Sequence, residues 1–369
     1  MPVIILVLIR SERMIRLGLL TVKHGQELGM FTKIAQLAKK WGISVVRFTP
    51  TSIQPITHDV NGYSFHPDKN AWVEATFPIP PFIYDRCFYT TKESYSKNSP
   101  IVEWLKKSPN TNFLGYGLPS KWLIYESLKS NPDIAPFLPI TEQASTLDVI
   151  NNFLQDYKTI ILKPDHGSQG KGIFKVTKKR SRIEVSTQNK ETTITKELET
   201  TEDFHKFLNS LIIKRDYLVQ PFYSLSDRSD RPFDIRILMQ KNKYGEWAET
   251  GRGVRTGSQS HFVSNLFSGA TISNFSDYLQ TYSNRNKQII LSEIEQISKT
   301  LPKVLEDNFN RLFELGIDIG IDKYLKIYIL DCNSKPGRKV ALETNRDKEM
   351  EIIEAPLAYC SYLANKLRA

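Results

Sequence analysis

The stretch Lys163-Pro164-Asp165-His166-Gly167-Ser168-Gln169-Gly170-Lys171-Gly172-Ile173 constrains this chain more than any other. An apolar run, Thr159 to Leu162, ends in a lysine, three glycines follow within six positions, and a second apolar run starts at Ile173. Glycine lets successive backbone N–H groups turn toward one anion and lets the backbone approach it closely, so a strand–loop–strand of this composition suits a lid over nucleotide phosphates. The segment does not match a Walker A loop, because Lys171 is followed by Gly172 where Ser or Thr is required and position 165 is not glycine. Nor is it a dinucleotide fingerprint, since its order is GxxGxG and a strand follows instead of a helix. Read alone, it is also compatible with an ordinary glycine-rich hairpin turn.

A second cluster lies near the C-terminus, in Glu314-Leu315-Gly316-Ile317-Asp318 and Ile329-Leu330-Asp331-Cys332-Asn333-Ser334-Lys335-Pro336-Gly337-Arg338. Alternate side chains of an extended strand share a face, so Asp331 and Asn333 point together and Cys332 points away. Asp318 comes from the adjoining strand of the same predicted hairpin. Three hard oxygen donors in that arrangement suit Mg²⁺, which keeps waters and substrate phosphates as its other ligands. Cys332, opposite them, reads as a small buried hydrophobe. Asp331 and Asn333 alone are equally well read as turn formers ahead of Pro336-Gly337.

The 369 residues, 40% hydrophobic and 24% charged, correspond to a soluble globular protein of two or three domains and exclude collagen-like, disordered and multi-pass membrane classes. The opening run Val3 to Ile9 is too short to cross a bilayer and reads as a buried first strand. Cys87, Cys332 and Cys360 are scattered, so neither a disulfide framework nor a zinc site is indicated, and a reducing, cytoplasmic compartment is expected. Up to about residue 112 the pattern is that of a small α/β domain, with one amphipathic helix at Phe31–Trp41 and strands at Ile43–Phe48 and near Phe82. Gly115–Ser120 reads as a connection, with Ser120 as N-cap of a helix starting at Lys121. Helices near 146–156 and 201–212 flank strands at 159–162, 173–176 and 217–219. Two long strands, Phe233–Gln240 and Trp247–Val254, then precede a helix carrying Ile290, Ile294, Ile297, Leu301 and Val304 on one face. Strands Ile317–Ile321 and Ile327–Leu330 and a terminal helix complete the chain.

With both clusters placed, the chain resembles the ATP-grasp superfamily of carboxylate–amine ligases from about Lys121 to Arg338. Arg231-Pro232-Phe233-Asp234-Ile235-Arg236, Val263-Ser264-Asn265-Leu266, Glu314 to Asp318 and Asn333 to Gly337 look like its YheC/YheD branch, described as endospore coat-associated. The resemblance implies an α/β fold: a small N-terminal pre-grasp domain (1–116), then a grasp of two α+β lobes, a lid and nucleotide subdomain (117–220) and a C-terminal subdomain with the metal site (221–369). It implies that Lys121 and Lys163 touch ATP phosphates and that His166, Gly167, Ser168, Gly170, Lys171 and Gly172 close over them. Gln220 would sit at the hinge with its backbone on adenine, and Phe222 would pack on the base. Arg236 and Arg255 would hold the transferred phosphoryl group, with Lys163 also in the catalytic set, and Asp318, Asp331 and Asn333 would bind magnesium. Two departures stand out. The ribose-binding glutamate of related ligases is replaced by Leu225, with Asp227 near enough to take its place on the ribose, and the metal strand reads Asp-Cys-Asn where Glu-x-Asn is usual.

The expected function is therefore an ATP- and Mg²⁺-dependent ligase joining a carboxylate to an amine through an acylphosphate, the acceptor site lying between the N-terminal domain and the 255–269 loop. The alternative is a nucleotide-binding or structural spore-coat protein of the same fold without turnover. The net charge of +10 raises a nucleic-acid reading, but no helix-turn-helix, RNP or zinc pattern supports it. Thirteen Lys and Arg against seven Asp and Glu fall within 157–215, which moves the surplus onto the lid. There, Lys178, Lys179, Arg180 and Arg182 read as a solvated face or as a landing strip for an acidic peptide or polymer.

Overall fold

The computed structural model describes residues 14–167, 170–189, 192–259, 261–262 and 269–368. The expected strand at Val3–Ile9, Ser168 of the glycine loop and the Val263–Leu266 motif lie outside them. The chain divides into two compact units, one of residues 1–116, 242–246 and 353–369, the other of 117–241 and 247–352.

The first unit is built on a six-stranded sheet of β1 (Ile15–Leu20), β2 (Ile43–Phe48), β3 (Asp59–His66), β4 (Ala71–Pro78), β5 (Phe82–Asp85) and β6 (Asn112–Phe113), in the order β4-β3-β2-β1-β5-β6. Strands β2, β1, β5 and β6 run parallel, and the β3–β4 hairpin adds an antiparallel edge. Parallel strands need both faces covered. Accordingly Leu17 and Leu19 on one face of β1 and Leu20 on the other are all fully buried. Helix α1 (Leu28–Leu37) buries Phe31, Ile34 and Ala35, and α2 (Lys92–Lys107) supplies Val102 and Leu105 to the core formed with Leu20, Val46 and Ile83.

The second unit holds two antiparallel sheets. In the first, β7 (Glu142–Gln143), β8 (Thr159–Pro164), β9 (Phe174–Lys178), β10 (Ile183–Gln188), β11 (Thr193–Leu198) and β12 (Tyr217–Pro221) are ordered β11-β10-β9-β8-β12-β7. Period-two alternation sorts its residues. Ile160, Leu162, Tyr217 and Val219 enter the core under α4 (Leu147–Tyr157) and α5 (Thr201–Ile212). Lys163, Leu218 and Gln220 are thereby left on the opposite face, where Leu218 stands directly beside Lys163.

The second sheet joins β13 (Phe233–Lys241), β14 (Trp247–Thr256), β15 (Thr271–Asn274), β16 (Glu314–Ile321) and β17 (Ile327–Asn333) in the order β15-β14-β13-β16-β17. Phe233, Ile235, Ile237 and Met239 of β13 and Leu315, Ile317 and Ile319 of β16 pack on α3 (Lys121–Lys129) and α7 (Asn284–Asn308), which present Ile124 and Leu128, and Ile290, Ile294, Ile297 and Leu301. The alternate residues Asp234, Arg236 and Asp318 therefore face the other way. On that face α8 (Lys339–Thr344) covers Leu238 through Ala341, and the short α6 (Phe275–Gln280) precedes α7. Helix α9 (Glu349–Arg368) ends the chain, and within the first unit its Glu354 forms an ion pair with Lys40.

Candidate active site

A cleft of about 410 Å³, its open mouth included, lies inside the second unit between the bare face of the lid sheet and the end of β17. The polar part of its wall is Lys121, Lys163, Gln220, Thr141 and Asp331, and the apolar part includes Tyr125, Leu128, Leu218 and Ile329. A mixed lining of this kind suits a largely apolar group bearing a charged tail.

The two lysines reach it by different routes. Ser120 caps α3 by accepting from the Leu123 N–H, as its position suggests, and so places Lys121 in the first turn. A second cap comes from far along the chain: the Asp165 carboxylate accepts from Trp122 N at 2.7 Å, and its carbonyl from Lys121 N at 3.3 Å. A carboxylate at a helix N-terminus is favoured by the unpaired N–H groups and the helix dipole. Asp165 thus ties the start of the glycine loop to the helix carrying the other lysine, a role invisible to a search for caps immediately before the helix.

Lys163 donates to the Leu330 carbonyl at 3.4 Å. Burial, and then the neighbouring charge of Lys121, push its amine down to about 8. Lys121 is ion-paired to Asp331. The carbonyl is available because β17 bulges there. Asp331 pairs with Asp318 and Ile329 with Ile319, leaving Leu330 as the extra residue. The extra residue also changes the phase of the strand: Ile327, Ile329 and Cys332 all join the core, while Asp331 and Asn333 remain half-exposed together. Burial, and then Asp331 and Asp318, push the Cys332 thiol up, as befits a buried apolar group.

Three adjacent strands carry a compact charge network. Arg236 binds both carboxylate oxygens of Asp318, through Nε and through Nη2 at 2.9 Å. Arg255 bridges Asp234 at 2.6 Å and Asp318 at 3.0 Å. Burial alone would raise the Asp318 carboxyl, but the two guanidinium groups overcome it and hold it at about 2. Burial likewise opposes the Arg255 charge, and the two aspartates more than compensate.

The three expected magnesium ligands are neighbours: Asp318 stands opposite Asp331, and Asn333 Nδ2 approaches Asp331 Oδ2 at 3.4 Å. Two carboxylates and an amide oxygen are the donor chemistry Mg²⁺ prefers. Both carboxylates are matched with cations, and among the described residues no three His, Cys, Asp or Glu side chains form a metal cluster.

Gln220 lines the cleft, and its Nε2 donates to Thr141 Oγ1 at 2.7 Å. Thr141 spends its own proton on the Pro139 carbonyl at 2.8 Å, so the amide orientation is fixed by donor bookkeeping. Phe222 is outside the cleft wall, with its ring 4.1 Å from Lys175 Nζ and its N–H donated to Thr159 O. Asp227 is likewise outside it. It closes its own turn, accepting from the backbone of Ser229 and Arg231 and pairing with the Arg231 side chain at 2.8 Å. Leu225 packs against Gly320. In the loop, His166, Gly167 and Lys171 are exposed. Gly170 and Gly172 have positive φ of 67° and 77°, as a tight phosphate-type loop requires.

An antiparallel, helix-backed lid sheet facing a second sheet across a cleft, with a lysine from each side, defines an ATP-grasp protein. A family model described as YheC/D like ATP-grasp matches residues 110–363, and the chain belongs to that family. Endospore coat-associated protein YheC of Bacillus subtilis (strain 168) is 34% identical over 350 residues, 95% of this chain and 96% of that one. Among solved structures, the D-alanine-D-alanine ligase from Coxiella burnetii superposes with a TM-score of 0.51 at 12% identity, covering 96% of this chain and 98% of that one. Macrocyclase MdnC of Microcystis aeruginosa MRC, bound with its precursor peptide MdnA, gives 0.52 at 10% identity, covering 95% and 99%. Both likenesses are of fold.

Proposed function

We propose that the protein is an ATP- and Mg²⁺-dependent ligase that joins a carboxylate to an amine through an acylphosphate, in association with the endospore coat. The observation that carries this is the convergence of Lys121, Lys163 and the Arg236–Asp318–Arg255 network on one face of one unit, with Lys163 held in a partly desolvated state. Cations placed before the reaction stabilise charge as it develops on a transferring phosphoryl group without reorganising. Lys121 and Lys163 would draw the phosphates to the end of the cleft. Gln220 would present its amide oxygen to the base, and the arginines would meet the transferred group. Mg²⁺, held by Asp318, Asp331 and Asn333, would neutralise phosphate charge. The glycine loop would exclude water from the acylphosphate. The name of YheC supports the coat association, and the ligase among the structural relatives supports amide chemistry. The acid and the amine are left as classes, an acidic peptide or polymer being one candidate.

The test is ADP release over a panel of acids and amines, with mass spectrometry of the product. Lys163→Ala should abolish release while the fold persists, because losing one such contact costs about 2.7–4 kcal/mol of transition-state stabilisation. Wild-type turnover by that variant would overturn the assignment. A coat protein that binds nucleotide without turnover is the second reading. It is favoured by the commitment of both Asp318 and Asp331 to cations, and tight ATP binding without ADP release would select it.

A further inference from the structure

His261 has no part in the network described above, yet it is only 8% exposed and, among the described residues, neither Nδ1 nor Nε2 has a hydrogen-bond partner. A neutral imidazole carries one N–H donor and one bare acceptor. Burying such groups unpaired is costly, so each calls for a partner, whether an ordered water, an ion or a ligand.

The segment bearing His261 is anchored at both ends. It leaves β14 just after Arg255, and Gly257 N donates at 2.7 Å to the carbonyl of Pro232, two residues before Asp234. His261 N donates to Ser258 O at 3.0 Å, closing a turn. The next N–H, of Phe262, donates to Gln188 Oε1 at 3.2 Å, at the end of β10 in the lid sheet. One residue before Gln188, Thr187 pairs with Phe174 and donates to the carbonyl of Ile173, where the glycine loop ends. The imidazole is thus carried on a span running from the Arg–Asp network to the exit of the glycine loop. Asp234, Arg236, Arg255 and Asp318 satisfy one another, and none of the described residues completes the ring of His261.

We infer that His261 is a phosphoryl-contacting residue: its ring N–H donates to an oxygen of the terminal phosphate of a bound nucleoside triphosphate. This rests on the ATP reading above and adds to it a residue outside the glycine loop, the lysines and the arginines. A diphosphate, lacking that group, leaves the imidazole unpartnered.

Isothermal titration of the full chain at fixed Mg²⁺, with AMP-PNP and with ADP, tests it. A hydrogen bond to a charged group is worth about 1.5–3 kcal/mol, so His261→Ala should weaken AMP-PNP binding by about ten- to a hundredfold. ADP affinity should be unchanged, which also certifies the fold of the variant. His261→Asn, which keeps a donor, should recover most of the loss. Equal weakening of both nucleotides would make His261 a structural residue, and no weakening of either would discard the inference alone. Failure of the wild-type chain to bind any nucleotide would remove the ATP reading and this inference with it.

Discussion

Lys163 is the residue on which burial and function conflict. In the unfolded chain its amine titrates near 10.5, and in the folded chain near 8. Between those values the unfolded chain holds more protons, so the contribution of this residue to stability rises with pH across the window: the cost is fully present below pH 8 and gone above 10.5. The shift corresponds to a cost on the order of 3 kcal/mol. Lys163→Met should therefore be more stable than wild type at pH 7 in urea titrations, with the advantage shrinking between pH 8 and 10.5. A pH-independent difference would contradict the desolvated position. Gln220 makes a separate prediction. In the role proposed above, the amide held by Thr141 would offer Oε1 to the base, an acceptor suited to the 6-amino group of adenine and not to the 6-oxo group of guanine. Thr141→Val releases the amide, and the ratio of ATP to GTP affinity should fall toward unity, measured by competition with a fluorescent nucleotide. An unchanged ratio would show that the backbone alone reads the base. At this scale, residues announced by strand ends and spacing were legible: Lys163, Asp331, and Ser120 as a cap. Asp165 and His261 were not, since a cap reaching back from forty-odd residues downstream and an imidazole without partners leave no local pattern.

Periodicity separated the elements that bury a stripe from those that do not. The helix at Thr201–Ile212 and the strand at Ile43–Phe48 sit where the apolar pattern puts them. Only one helix was expected before residue 112, whereas α2 is a second, sixteen residues long. Its lysines, serines and internal Pro100 mask a face of only three buried residues. The β3–β4 hairpin was equally silent, because an edge with little burial need not alternate. Packing of α8 on β14 depends on glycines that the sequence marks but does not explain. A Cβ at Gly251 would lie 2.6 Å from Ala341 Cβ and 3.1 Å from Ala341 Cα, and one at Gly253 would lie 2.7 Å from Val340 Cγ1. Overpacking of this kind costs about 1–3 kcal/mol. Gly251→Ala should lower the unfolding free energy by that amount in a urea titration, and adding Ala341→Gly should return part of it. Full stability of the single variant would mean that α8 is not fixed by this contact.

Over the whole molecule, charge decides between partners. The net +10 invites nucleic acid, and the surplus within 157–215 is where an acidic ligand would be met. Lys179 pairs with Glu184 at 3.4 Å, and Arg182 with Glu197 at 3.1 Å and Glu184 at 3.7 Å, all within the β9–β11 hairpins. Exposed pairs add little stability, but they lower the field the patch projects. What remains of the lid surplus includes Lys163, turned into the cleft. A basic surface without base-reading elements binds duplex DNA only through counterion release, with Kd of about 10⁻⁴–10⁻⁶ M at physiological salt and a steep loss as salt rises. Fluorescence anisotropy with two unrelated 20-base-pair duplexes should therefore give equal, weak affinities in that range, while ATP affinity should change little over the same salt series if, as proposed, its phosphates meet the largely buried Lys163 and Arg255, which ions screen poorly. Sub-micromolar, sequence-dependent DNA binding at physiological salt would restore the nucleic-acid function that the placement of these charges argues against.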